Sequence, residues 1–218
     1  MMNRFYLFYL ALWLACWGFQ PVAHAAHVNV IELDNQIINP VTQQYILEAI
    51  ERSEEDHAEC LVLILDTPGG LLESTRAIVK GMMNARVPIV VYVGPAGARA
   101  GSAGVFITLA AHIAAMAPST NIGAAHPFGV GDGGGGGAVK KLIRRIRKST
   151  DESGSSTPQE EEQEIVEETQ QDPMTDKIMN DTVACVTTIA RARHRNEVWA
   201  KRAVTESLSA TEEEAVKE

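Results

Sequence analysis

The chain has 218 residues, 45% of them hydrophobic, which is enough length and apolar content to bury a substantial core in one domain with appendages. Its formal charge of −9 says little about partners, because the acids concentrate in residues 151–172 (Asp151, Glu152, Glu160, Glu161, Glu162, Glu164, Glu167, Glu168, Asp172). The one dense basic stretch, Lys140 to Lys148, lies beside that acidic run, which argues against a nucleic-acid face, and the scattered histidines have no ligand spacing, so neither metal nor cofactor is expected.

Residues 1–25 differ from the rest. Arg4 supplies a positive start, Phe5 to Phe19 is almost wholly apolar, and Ala23-His24-Ala25 offers a small-x-small cleavage site, the layout of a signal peptide. The apolar run is shorter than the ~20 residues that cross a bilayer, so export with cleavage is expected and an uncleaved anchor is the alternative. Cys16 would leave with the signal. Cys60, read as ending a helix, and Cys185, read inside another, form no disulfide framework and are expected as buried free thiols.

From His27 the pattern becomes regular. His27 to Leu33 alternates as a strand, and Pro40 to Glu54 has helical spacing through Val41, Tyr45, Leu47, Ala49 and Ile50. Leu61 to Leu65 is a continuous apolar run, as expected of a parallel strand covered on both faces, and ends in Asp66-Thr67-Pro68-Gly69-Gly70. Leu71 to Ala85 reads as a helix and Pro88 to Val93 as another buried strand, so the rhythm is that of βαβ units in a parallel α/β sheet. Ser102 to His112 reads as a short helix of small residues, Ile113 to Ala117 as a strand, and Pro118 to Asn121 as a turn.

Residues 129–172 break the rhythm and read as a flexible insertion between residues 26–128 and 173–218 of one domain. Five glycines, Gly133 to Gly137, precede the basic stretch, in which Val139, Leu142, Ile143 and Ile146 would line one face of a short amphipathic helix. Beyond it, helices are expected from Met174 to about Arg193 and from Glu197 to Ser207, with another starting near Thr211.

Acyl transfer requires a nucleophile, a base and donors aimed at the developing oxyanion. Ser102, in Ala100-Gly101-Ser102-Ala103-Gly104, follows a glycine-rich turn and opens a helix, so the Ala103 amide and the helix dipole both favour negative charge beside its hydroxyl. Small residues here would equally serve close packing of helix on strand. Gly69-Gly70, at the carboxyl end of a neighbouring strand, lets backbone amides approach a carbonyl, and such strand ends are where open α/β sheets hold ligands; a plain Pro-Gly turn is the competing reading.

Asp66 to Gly70, Gly97 to Gly104, Asn121 to Pro127 (Asn-Ile-Gly-Ala-Ala-His-Pro), Met174 to Asp181 and Arg195-Asn196 together resemble the membrane-bound ClpP-class serine proteases known as NfeD proteins, across most of residues 27–215. The broader class includes signal peptide peptidase A and the Clp protease. The resemblance implies a ClpP/crotonase-like spiral of ββα units, a Ser/Lys dyad, a homodimer, and cleavage of hydrophobic segments of membrane-associated proteins, with stomatin-like membrane proteins as partners.

Carried onto this chain, it makes Ser102 the nucleophile, Lys177 the general base, and the amides of Gly70 and Ala103 the oxyanion hole. Lys177 is flanked by Met174, Ile178 and Met179, so an apolar pocket that favours the neutral amine is expected, whereas an ion pair with Asp181, four residues on, would oppose it. His126, near where Clp-type proteases carry their histidine, is a pocket residue or the alternative base. His112 is expected as a satisfied core or interface histidine. The competing functions are a noncatalytic scaffold that binds a membrane partner and, against the export signal, acyl-CoA chemistry.

Overall fold

The computed structural model describes residues 26–127 and 173–218; the signal segment, the glycine run, the amphipathic helix and the acidic stretch lie outside the described residues. Strand β1 (Val28–Leu33) leads into α1 (Pro40–Glu55), β2 (Cys60–Leu65), α2 (Leu72–Asn84) and β3 (Ile89–Val93). Then come β4 (Arg99–Gly101), α3 (Ala103–Ala110), β5 (Ile113–Met116) and β6 (Asn121–Gly123). After residue 172 the chain forms α4 (Pro173–Ala192), α5 (Glu197–Thr205), β7 (Ser209–Thr211) and the single turn α6 (Glu212–Ala215).

Two sheets result. β1, β2, β3 and β5 pair in that order, all parallel, with Val62 opposite Val90 and Ile64 opposite Tyr92. The smaller sheet joins β4 and β6 in parallel and adds β7 antiparallel to β6. Strand of the large sheet, short strand of the small sheet, then helix: β3-β4-α3 and β5-β6-α4 repeat this unit, and β2, the Thr67–Ala100 bridge and α2 repeat it in outline. The ββα spiral implied by the resemblance is therefore present.

Local chemistry starts and stops the helices. Asn39 caps α1, its Oδ1 accepting from the Val41 and Thr42 amides at 2.8 and 3.1 Å, while Thr42 Oγ1 accepts from the Asn39 amide and Pro40 supplies a preset φ. α2 then lays Ile78, Val79 and Met82 onto Leu61, Leu63, Leu65 and Val91 in one buried cluster. Each such side chain contributes roughly 1.5–3 kcal/mol by leaving water.

Several expectations change. β2 is buried only through Leu61, Leu63 and Leu65; Val62 and Ile64 are half-buried, because the helices cover one face of the large sheet while Val28 and Val30 of β1 and Ile113 of β5 stand exposed at the edges of the other. Cys60 begins β2 instead of ending a helix, and both it and Cys185 are free thiols, half-buried and not fully enclosed. α3 spans eight residues, so Ser102 is its N-cap and His112 follows its end. No described helix is long and apolar enough to cross a membrane.

Candidate active site

Three segments converge on Ser102. The first is the turn after β2, held from both sides: the Thr67 amide donates to Arg99 O and the Gly101 amide to Thr67 O, at 2.9 and 3.0 Å, which ties the turn to β4. Asp66 Oδ1 accepts from the Arg99 amide at 2.9 Å. On the other side the Ile38 amide donates to Gly69 O and the Leu71 amide to Ile38 O, both at 2.8 Å. In that parallel bridge between Ile38 and Gly70 the N–H and C=O of Gly70 itself point to the side away from Ile38. Thr67, fully buried, braces the turn internally, its hydroxyl donating to Gln36 O at 2.6 Å and accepting from the Gly69 amide at 3.1 Å.

The second segment is the entry to α3. Ser102 has φ 47° and ψ −104°, a left-handed conformation costly for any residue with a Cβ, and although it occupies the N-cap its side chain makes no capping hydrogen bond. A serine there would ordinarily satisfy the helix's first amides. This one is turned elsewhere, towards Gly69: a Cβ placed on Gly69, itself at φ 120°, would lie 2.7 Å from Ser102 Cβ and 3.2 Å from its Oγ. Among the described residues the Gly70 and Ala103 amides donate to no protein acceptor, as two oxyanion donors require.

The third segment is β6, whose Gly123 O accepts the Ser102 amide at 3.0 Å. His126 follows three residues later, within about 10 Å of chain. Its half-buried ring sets Nδ1 3.1 Å from Val204 O. A carbonyl only accepts, so Nδ1 is the donor in that contact.

Lys177 sits on α4, which packs against α3 and α5. Its side chain is exposed, as is Met174, because none of the described residues covers the first turns of α4, and no described residue forms the expected apolar pocket there. Nor does Asp181 pair with Lys177. It binds the Arg76 guanidinium of α2, which raises the Arg76 pKa, so the opposing ion pair weighed from the sequence is absent.

His112 lies far from this chemistry. Its Nδ1 accepts from the Ile89 amide at 3.0 Å, and burial, then the charges of Arg193 and Arg195, lower its pKa and keep it neutral. The sequence marks Arg195 only as a motif residue and Arg193 only as a helix end, yet together they bond the last carbonyls of α3 and its C-cap. The described residues hold no group of His, Cys, Asp or Glu that could bind a metal.

Residues 27–183 match the family model described as NfeD1b, N-terminal domain. The chain belongs to this NfeD family. It is 30% identical over 197 residues to the membrane-bound protease PH1510 of Pyrococcus horikoshii, a match covering 90% of this chain and 37% of the relative, so the chain spans little more than a third of that protein's length. Among solved structures it resembles the membrane-bound stomatin-specific protease 1510-N in a serine-to-alanine mutant, at 30% identity and TM-score 0.65, over 88% of this chain and 76% of that one. A lysine-to-alanine mutant of 1510-N in complex with a substrate peptide matches at 29% identity and TM-score 0.64, over 88% and 72%. The α/β fold of this NfeD domain is that ClpP-like fold, and these relatives are named as proteases.

Proposed function

We propose that the chain is a serine endopeptidase domain, exported and membrane-associated, that acts as a homodimer on hydrophobic segments of membrane-associated proteins, stomatin-like proteins among them. Ser102 Oγ attacks the scissile carbonyl, Lys177 takes the hydroxyl proton, and the carbonyl oxygen, now an anion, is held by the Gly70 and Ala103 amides. Collapse expels the amine, which receives that proton, and water then hydrolyses the acyl ester by the same route reversed. The observation that carries this reading is the N-cap serine that does not cap, in a costly backbone conformation, packed against the Gly69 turn, with the Gly70 and Ala103 amides bonding to no acceptor among the described residues. The relatives named as proteases, solved in serine and lysine mutants, support it.

A fluorophosphonate reagent followed by peptide mapping should modify Ser102 and no other serine. Modification persisting in Ser102→Ala would refute the assignment. His126 is the rival base, favoured by its place three residues after Gly123, whose carbonyl accepts the Ser102 amide, and by the Nδ1 contact with Val204 O that orients its ring. Comparing Lys177→Ala with His126→Ala decides between them: the variant that loses at least a hundredfold in peptide hydrolysis names the base.

A further inference from the structure

The helix that begins at Ser102 is anchored at its other end by two cations. Arg195 Nη1 donates to Thr108 O and Leu109 O at 3.2 and 3.1 Å, and its Nη2 to Ala111 O at 3.0 Å. Arg193 Nε donates to Ala110 O at 2.8 Å and its Nη2 reaches Met82 O on α2 at 3.2 Å. All eight residues of α3 are buried, and among the described residues no carboxylate pairs with either guanidinium. Two like charges have therefore been brought together at a buried helix end, with backbone carbonyls as their hydrogen-bond partners among the described residues. Exposed helices are commonly capped by water or a single lysine, so a pair of half-buried arginines is more than this short helix needs for termination.

We infer that Arg195, assisted by Arg193, is a positioning residue for the serine: the pair fixes α3 along its axis and offsets the negative end of its dipole, leaving the positive field at Ser102 and the Ala103 amide unopposed. Eight residues make α3 about 12 Å long. Across that distance, at an effective dielectric near 20, one charge changes the equilibrium for forming an anion by on the order of tenfold. The dipole's own positive end adds to the same field. This inference rests on Ser102 being the nucleophile.

The test is the second-order rate of fluorophosphonate modification of Ser102, measured per folded molecule alongside the unfolding midpoint. Arg195→Met should slow modification about tenfold and move the rising limb of its pH profile upward by up to about one unit, because a lost positive charge makes proton removal harder. Arg195→Lys, which keeps the charge but loses the fork, should stay within about threefold of wild type. Arg195 lines a cavity of about 640 Å³, which gives added guanidinium ion a route to the vacated place, and millimolar guanidinium should restore part of the Arg195→Met rate. If Arg195→Met does not fold, Arg193→Met removes one charge from the same helix end while leaving all three Arg195 bonds, and a several-fold loss is expected. Wild-type rates per folded molecule in the Met variants, whatever their midpoints, would overturn the inference alone. Absence of any modification in the wild type would overturn the Ser102 assignment and the inference with it.

Discussion

Gly69→Ala is the sharpest probe of how the serine is held. The added Cβ would stand 2.7 Å from Ser102 Cβ and 3.4 Å from Gly101 O, at a φ of 120°. Carbon atoms in contact prefer roughly 3.5–4.0 Å, so Ser102 or the turn must move by about 0.8 Å or more. The backbone conformation costs about 1–3 kcal/mol for a residue with a side chain, and the overlap a similar amount. At roughly 2–4 °C per kcal/mol for a domain of this size, the unfolding midpoint should fall by about 5–20 °C. A misplacement near 1 Å should slow fluorophosphonate modification about a hundredfold. Gly97→Ala is the control, because Gly97 has φ 91° but nothing within 4 Å of an added Cβ. It should lose a few degrees of stability and keep its modification rate. If Gly69→Ala reacted at the wild-type rate, contact between this turn and Ser102 would not be what orients the hydroxyl.

Ser102→Gly should raise the unfolding midpoint by about 2–4 °C, because glycine adopts φ 47° without a Cβ penalty, whereas Ser102→Ala should leave it nearly unchanged; equal midpoints would remove backbone strain from the account. Thr67→Val keeps the volume but strips partners from Gln36 O and the buried Gly69 amide, so denaturant unfolding should show a loss of about 1–3 kcal/mol. His112 supplies a pH dependence with a defined sign. Its folded-state pKa lies below the unfolded value near 6.5, so the unfolded chain binds more protons in that window, and stability should fall as pH drops through about 6.5 and level off below the folded pKa. Thermal unfolding from pH 7.5 to 5 should show this slope, and His112→Gln should flatten it. The lowered carboxyl groups of Glu54, Glu197 and Glu214 act only below about pH 4.5, outside that window.

The large sheet and its helices were legible because each spans enough residues to show a period. The 3.6-residue spacing of Val41 to Ile50 and the apolar run Leu61 to Leu65 gave α1 and β2 nearly to their ends. What the run could not show is which face lies open. A strand of Leu, Val and Ile reads alike whether one or both faces are covered, and here Val62 and Ile64 remain half-exposed while Leu61, Leu63 and Leu65 do not. The strands of the small sheet escaped for a different reason: β4, β6 and β7 have three residues each, too few for any alternation, and they exist because Thr67, Arg99 and Gly123 find backbone partners distant in sequence.

Legibility of the candidate site follows the same division between local and distant causes. A glycine pair after a strand and a serine opening a helix are local features, so Gly69, Gly70, Ser102 and Ala103 could be singled out from residues alone, and the structure sets Gly69 against Ser102 at the start of α3. Arg193 and Arg195 could not, since a guanidinium that caps a helix more than eighty residues away in sequence looks like any surface arginine; two of them in Arg193-His194-Arg195, between helices and beside no acid, is the faint signal that was there. Lys177 shows the converse. Its apolar neighbours suggested burial, but burial depends on what lies over the first turns of α4, and no described residue lies there. The surroundings of Ser102 are therefore set by the folded core, whereas Lys177 is exposed among the described residues, so the Lys177→Ala and His126→Ala comparison is the experiment that assigns the base.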